Sequence, residues 1–170
     1  MRRARMTFAV GLGLLPLLFA AAGHAAGPVR IGGSESADTV GPIDRKIEGI
    51  ARTYAGTDIF LTDARFVGLV ERLRFKVQDG AYIKALQSGG APPAKLVAEL
   101  KDAIMGHKAM ILIYNRDTKT APSDELVAIA NDAGIPVVGL GEKLPSELNR
   151  EQWMLRHLNA IHGALNEVSP

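Results

Sequence analysis

The chain has 170 residues and no cysteine, with 20 basic and 18 acidic side chains and a formal net charge of +2. That length suits one domain with a sizeable core and is too short for two ordinary ones. Without cysteine there are no disulfides and no thiolate metal sites, and without a basic run interleaved with aromatics there is no footprint for nucleic acid.

The chain opens with Arg2, Arg3 and Arg5, followed by an uncharged apolar run from Thr7 to Ala22 and then Gly23-His24-Ala25. This order reads as a secretory signal peptide, residues 1–25, cut after Ala25. A retained anchor is the alternative, but a spanning helix needs about 20 apolar residues, and this shorter run holds Gly11, Gly13 and Pro16. The expected address is the periplasm of a bacterium, with no membrane insertion after cleavage. Removing the three arginines leaves 17 basic against 18 acidic side chains, a net charge of about −1, which gives no argument for an anionic partner.

Residues 26–40 are rich in Gly and Ser and read as a flexible N-terminal segment; residues 41–170 read as a single lobe. Pro42 suits a first helical turn, and Ile43, Ile47, Ile50 and Tyr54 recur at helical spacing until Ala55-Gly56. Asp58 to Thr62 is a short strand, after which Phe66, Val67, Val70 and Leu73 return to the helical period. Val77 marks a weak second strand. Beyond the turn-rich stretch 88–93, a helix is expected through Leu96, Val97, Leu100, Ile104 and Met105. Ala109 to Tyr114 is an apolar strand. Pro122 and Ser123 begin a helix with Leu126, Val127, Ile129 and Ala130 on its inner side, closed by Gly134. Residues 135–140 form another buried strand, and a long helix from Asn149 to Val168 ends the chain, its stripe of Trp153, Met154, Leu158, Ile161 and Leu165 read as core.

Apolar strands alternating with helices imply an α/β fold: one doubly wound lobe, with a parallel sheet of about four strands and helices on both faces. Working groups in such sheets collect where strands end. Asp63 follows strand 58–62 and Glu142 follows strand 135–140, so both acids fall on one rim. The simpler reading makes Asp63 a helix cap and Glu142 a solvated loop acid.

The stretches GPIDRKIEGIARTYAGTDIFLTDARFVGLVERLRFKV, GHKAMILIYNRDTKTAPSDELVAIANDAGIPVVGLGEKLP and REQWMLRHLNAIHGAL together resemble the C-terminal lobe of periplasmic zinc/manganese-binding proteins, the solute receptors of metal-uptake ABC transporters. In that family a strand ending in Thr or Ser is followed by a His or Glu ligand and, after two variable positions, an aromatic; Thr62, Asp63 and Phe66 match. The last strand of the lobe leads to an acidic ligand, which Glu142 matches. The resemblance therefore implies Asp63 and Glu142 as metal ligands and zinc or manganese as the ion, held weakly by the isolated chain. These receptors clasp metal between two lobes, and the half that carries histidines has no counterpart here. His107, His157 and His162 are expected at the surface or at caps, since a spacing of five does not align two imidazoles on one helix face. A zinc site wants about four ligands, and two carboxylates fall short of that.

The stretch Gly139 to Lys143 lacks a phosphate-loop frame, and Ser34, Ser36 and Ser88 have no nucleophile elbow around them, so no enzyme is expected. Two roles are left. The chain is a metal-binding or metal-handing component of a zinc or manganese uptake system, with a metal-uptake ABC permease or a second receptor chain as partner. Alternatively, it is a metal-free periplasmic interaction module that docks on a transporter or a full receptor through Asp63, Arg65, Phe66, Tyr114, Asn115 and Glu142.

Overall fold

The computed structural model describes residues 40–169, which belong to one compact unit. The expected signal peptide and nearly all of the segment 26–40 lie outside the described residues.

Helix α1 (Pro42–Tyr54) starts with proline in its first turn and buries Ile47, Ile50, Ala51 and Tyr54 along one face. Strand β1 (Asp58–Leu61) follows, then a 3-10 turn (Ala64–Phe66) that runs directly into the short helix α2 (Val67–Arg72). The helix expected through Phe66, Val67, Val70 and Leu73 is therefore found, but it is entered by a tight 3-10 turn that the Asp63 side chain caps. Arg74, at φ 59°, turns the chain into β2 (Lys76–Val77), the weak strand marked by Val77.

Helix α3 (Gly80–Gln87) was not expected from the sequence. It is only eight residues long, and Asp79-Gly80 reads as a turn. Asp79 does adopt the left-handed conformation of a turn, at φ 61°, while its side chain also accepts from the Tyr82 N–H as an N-cap. Helix α4 (Ala94–Met105) buries Leu100 and Ile104, while Met105 is 57% exposed. Strand β3 (Ile111–Asn115) leads to α5 (Ala121–Asp132), capped by the Thr120 hydroxyl, and then to β4 (Val137–Leu140). Helix α6 (Arg150–Val168) begins with a reciprocal capping box between Asn149 and Gln152.

The four strands form one parallel sheet in the order β2-β1-β3-β4. The chain steps one way from β1 to β2 and the other way through β3 to β4, so β1 and β3 flank the point where strand order reverses. Right-handed crossovers then place α2 on one face and α4 and α5 on the other. Ile59, Phe60, Leu61, Ile111, Leu112 and Ile113 are all at most 1% exposed. Consecutive buried residues point to opposite faces, so both faces are covered.

The register sets the height of the rim. Leu61 pairs with Ile113, which brings Asp63 level with Asn115; Asn115 pairs with Leu140, so Glu142 stands two residues further out. Tyr114, expected on this rim, lies over Gly139 instead. A Cβ on that glycine would come within 2.9 Å of the Tyr114 hydroxyl, so the missing side chain makes room for the phenol ring. His157, expected at the surface or at a cap, is 4% exposed beneath the end of β4. His107 follows α4 at φ 49° and is exposed, and His162 is half-buried with Nδ1 3.2 Å from Lys46 Nζ.

Candidate functional site

Asp63 sits on the last extended residue before the 3-10 turn, at φ −138°. Its Oδ1 accepts from its own turn's Arg65 N–H at 2.9 Å, and its Oδ2 accepts from Asn115 Nδ2 at 2.8 Å. The carboxylate thus caps the turn and also faces the rim, so the two readings of this residue are compatible. Its shortness matters, since an aspartate reaches the N–H two residues on, as an Asx turn requires.

Arg65 crosses from that turn to the other acid. Its Nη1 lies 2.5 Å from Glu142 Oε2 and 3.8 Å from Asp63 Oδ2, and it also donates to the Thr118 hydroxyl at 3.1 Å. Asn115 Nδ2 stands 3.5 Å from Glu142 Oε2, so the amide also touches both carboxylates. The structure therefore brings Asp63, Arg65, Asn115 and Glu142 together and puts a guanidinium between the two acids.

Glu142 is itself held from behind. Asp117 Oδ2 accepts the backbone N–H groups of Glu142 at 2.7 Å and Lys143 at 2.8 Å, and the Asp117 N–H donates to Asn115 Oδ1 at 3.0 Å. The Lys143 N–H bond and then that of Glu142, helped by Arg116 and Lys143, hold the Asp117 carboxyl below its ordinary value of 3.8 against the opposing effect of burial. Next to this loop the Gly141 N–H donates to His157 Nε2 at 3.2 Å, which puts the proton of the neutral ring on Nδ1. Burial, with Arg116 and Arg156 adding to it, keeps that imidazole below its ordinary 6.5, while Asp117 pulls the other way.

Two hollows flank the bridge, each of about 460 Å³. One is walled by Phe66, Leu69, Trp153 and Met154, with Arg65 and Glu142 at its lip. Phe66 is 8% exposed, so it serves the core and the wall of this hollow together. The Trp153 indole N–H is buried and has no hydrogen-bond partner among the described residues. The other hollow lies between the ends of β1 and β3, against Tyr82 and the start of α5.

A zinc or manganese ion at this rim would need a fuller donor set. Asp63 and Glu142 are present, but each already accepts from Asn115 and faces Arg65, and among the described residues no imidazole joins them. Among the described residues no group of three or more His, Cys, Asp and Glu side chains is placed to hold a metal. With a cation of the chain's own between them, the two carboxylates do not fit a metal ion as they stand.

The sequence reading placed both acids, Arg65 and Asn115 on one rim, where the structure brings them together, but it did not foresee the Arg65 bridge or the positions of Asp117, Tyr82 and His157. A polar Asn-Arg-Asp-Thr run directly after a buried strand was the available signal for Asp117.

No known protein family matches the chain, and no curated relative matches it by sequence. Among solved structures, a mutant of the laminin-binding adhesin Lmb from Streptococcus agalactiae is similar, with a TM-score of 0.49 and 12% identity over 75% of this chain. The chain spans 46% of the length of that adhesin. Among the described residues no helix is long and apolar enough to cross a membrane.

Proposed function

We propose that the chain is a non-enzymatic binding module: a single lobe of solute-receptor type that works in the periplasm by docking on a partner protein. The partner class is a metal-uptake ABC permease or a second receptor chain, as the sequence resemblance implies. One observation carries this reading over the metal-carrying one. Arg65 spans Asp63 and Glu142, so the cation those acids need is supplied by the chain. A free metal ion would have to displace the guanidinium and then find further ligands.

The hollow beside the bridge supports docking. It offers Phe66, Leu69, Trp153 and Met154, together with the charged pair Arg65 and Glu142. That combination suits an apolar side chain, with charge beside it fixing orientation. The test is co-purification of the full chain with a metal-uptake permease, or with a two-lobed receptor, from the same cell. Trp153→Ala and Arg65→Glu should each reduce recovery strongly, and Glu167→Ala, on the far end of α6, should not. Unchanged recovery with both rim variants contradicts the docking reading.

A further inference from the structure

The hollow on the other side of Asp63 lies at the carboxyl ends of β1 and β3, where the strand order reverses, which is where open α/β sheets receive ligands. Its volume of about 460 Å³ is in the range of small-molecule sites. Tyr82, from α3, lines it and is only 2% exposed, yet among the described residues its hydroxyl makes no hydrogen bond. Its hydroxyl is not among the buried polar atoms left without a partner, so it keeps its proton available to whatever the cavity holds.

The remaining polar groups define what that something is. The charged groups are already satisfied: Asp63 by Arg65 N and Asn115, and Arg65 by Glu142. The hydroxyls are not. Thr118 accepts from Arg65 and Asn115, and Thr120 accepts from the Ser123 N–H, so each still has its own proton to donate. Thr62 and Ser123 share one hydrogen bond of 3.1 Å at the floor and keep further donor and acceptor capacity. The opposite side is apolar, with Leu86, Pro92 and Pro122, and Gly89 and Gly90 leave the entrance clear of side chains.

From this arrangement we infer that the cavity under Tyr82 binds a small, neutral, polyhydroxylated molecule of monosaccharide size. Its hydroxyls would meet those of Thr118, Ser123 and Tyr82, and its C–H face would lie on Leu86 and Pro92. Two charges line the cavity, and neither calls for an ionic ligand: Arg65 is paired with Glu142, and the Asp63 carboxylate disfavours an anion, being after burial the main cause that raises the Tyr82 hydroxyl above its ordinary value. This site goes beyond docking and uses different residues, so each reading stands or falls by its own readout.

The test is an amide NMR titration of the full chain with D-glucose and myo-inositol, and separately with phosphate and ethanolamine. At least one polyol should give saturable shifts at Asp63, Thr118 and Ser123, with a dissociation constant below about 1 mM. Tyr82→Phe and Ser123→Ala should each weaken it by about fivefold, the loss expected for one neutral hydrogen bond, while Glu167→Gln leaves it unchanged. The inference is overturned if neither polyol saturates by about 50 mM. It is equally overturned if the shifts lie elsewhere, if Tyr82→Phe binds as well as the natural chain, or if phosphate or ethanolamine binds these residues more tightly.

Discussion

Arg65 Nη1 lies 2.5 Å from Glu142 Oε2, joining the turn after β1 to the loop after β4 across the width of β3. The two side chains are 52% and 46% exposed, so water screens the pair, and its contribution to stability is under about 1 kcal/mol. Arg65→Ala should therefore change the urea midpoint little. A loss of several kcal/mol in that experiment would mean the bridge is structural, with no bearing on binding.

Asp117 should matter more to the shape of the rim than either acid, because it ties down the backbone on which Glu142 rides. Asp117→Ala should cost about 1 kcal/mol, less than the range for buried bonds to a charged group, since the carboxylate is close to solvent. Its folded value is depressed, so its contribution is present above 3.8 and is lost as the pH falls through the folded value. Amide exchange at Glu142 and Lys143 should rise in this variant; unchanged protection there would refute the role.

His157 makes stability depend on pH near neutrality. Its folded value is depressed, chiefly by burial, so the unfolded chain takes up the proton first. Its contribution is complete above about 6.5 and declines as the pH falls through the folded value, where Nε2 can no longer accept from Gly141. His162, also depressed by burial and by Lys46, adds a change of the same sign. Denaturant melts at pH 7 and pH 5 should show a smaller drop for His157→Gln than for the natural chain. An equal drop would remove His157 from this account.

Gly139 should tolerate no side chain while Tyr114 lies over it. Gly139→Ala places a Cβ 2.9–3.0 Å from the phenol ring, so the ring must move, at a cost of about 1–3 kcal/mol. Adding Tyr114→Ala to that variant should recover part of the loss in a thermal melt. Additive losses in the double variant would show that the two residues do not meet.

Much of the architecture was legible because the apolar periods are clean. Ile59 to Leu61 and Ile111 to Ile113 are buried on both faces, which only a covered parallel sheet provides, and α5 and α6 carry their caps in the sequence at Thr120 and Asn149. Helix α3 was not legible, because its start looks like a turn and it is too short to show a period. His157 was misplaced because a spacing argument treats histidine as polar, whereas here the ring packs against Trp153 at a tilt of 59°, 4.6 Å between centroids, and accepts from Gly141. The acids of the rim followed from where strands end, but the bridge did not. Whether Arg65 turns out to solvent or inward to Glu142 depends on the 3-10 turn that Asp63 caps, and no residue count reveals that geometry.

The most direct test of Arg65 as the resident cation is a zinc and manganese titration of the full chain by calorimetry, beside Arg65→Ala. The natural chain should show no one-to-one site tighter than about 1 µM, and Arg65→Ala should bind zinc at least about tenfold more tightly, through Asp63 and Glu142. One-to-one zinc binding by the natural chain well below about 1 µM, abolished by Asp63→Ala, would contradict the account and return the rim to a metal site.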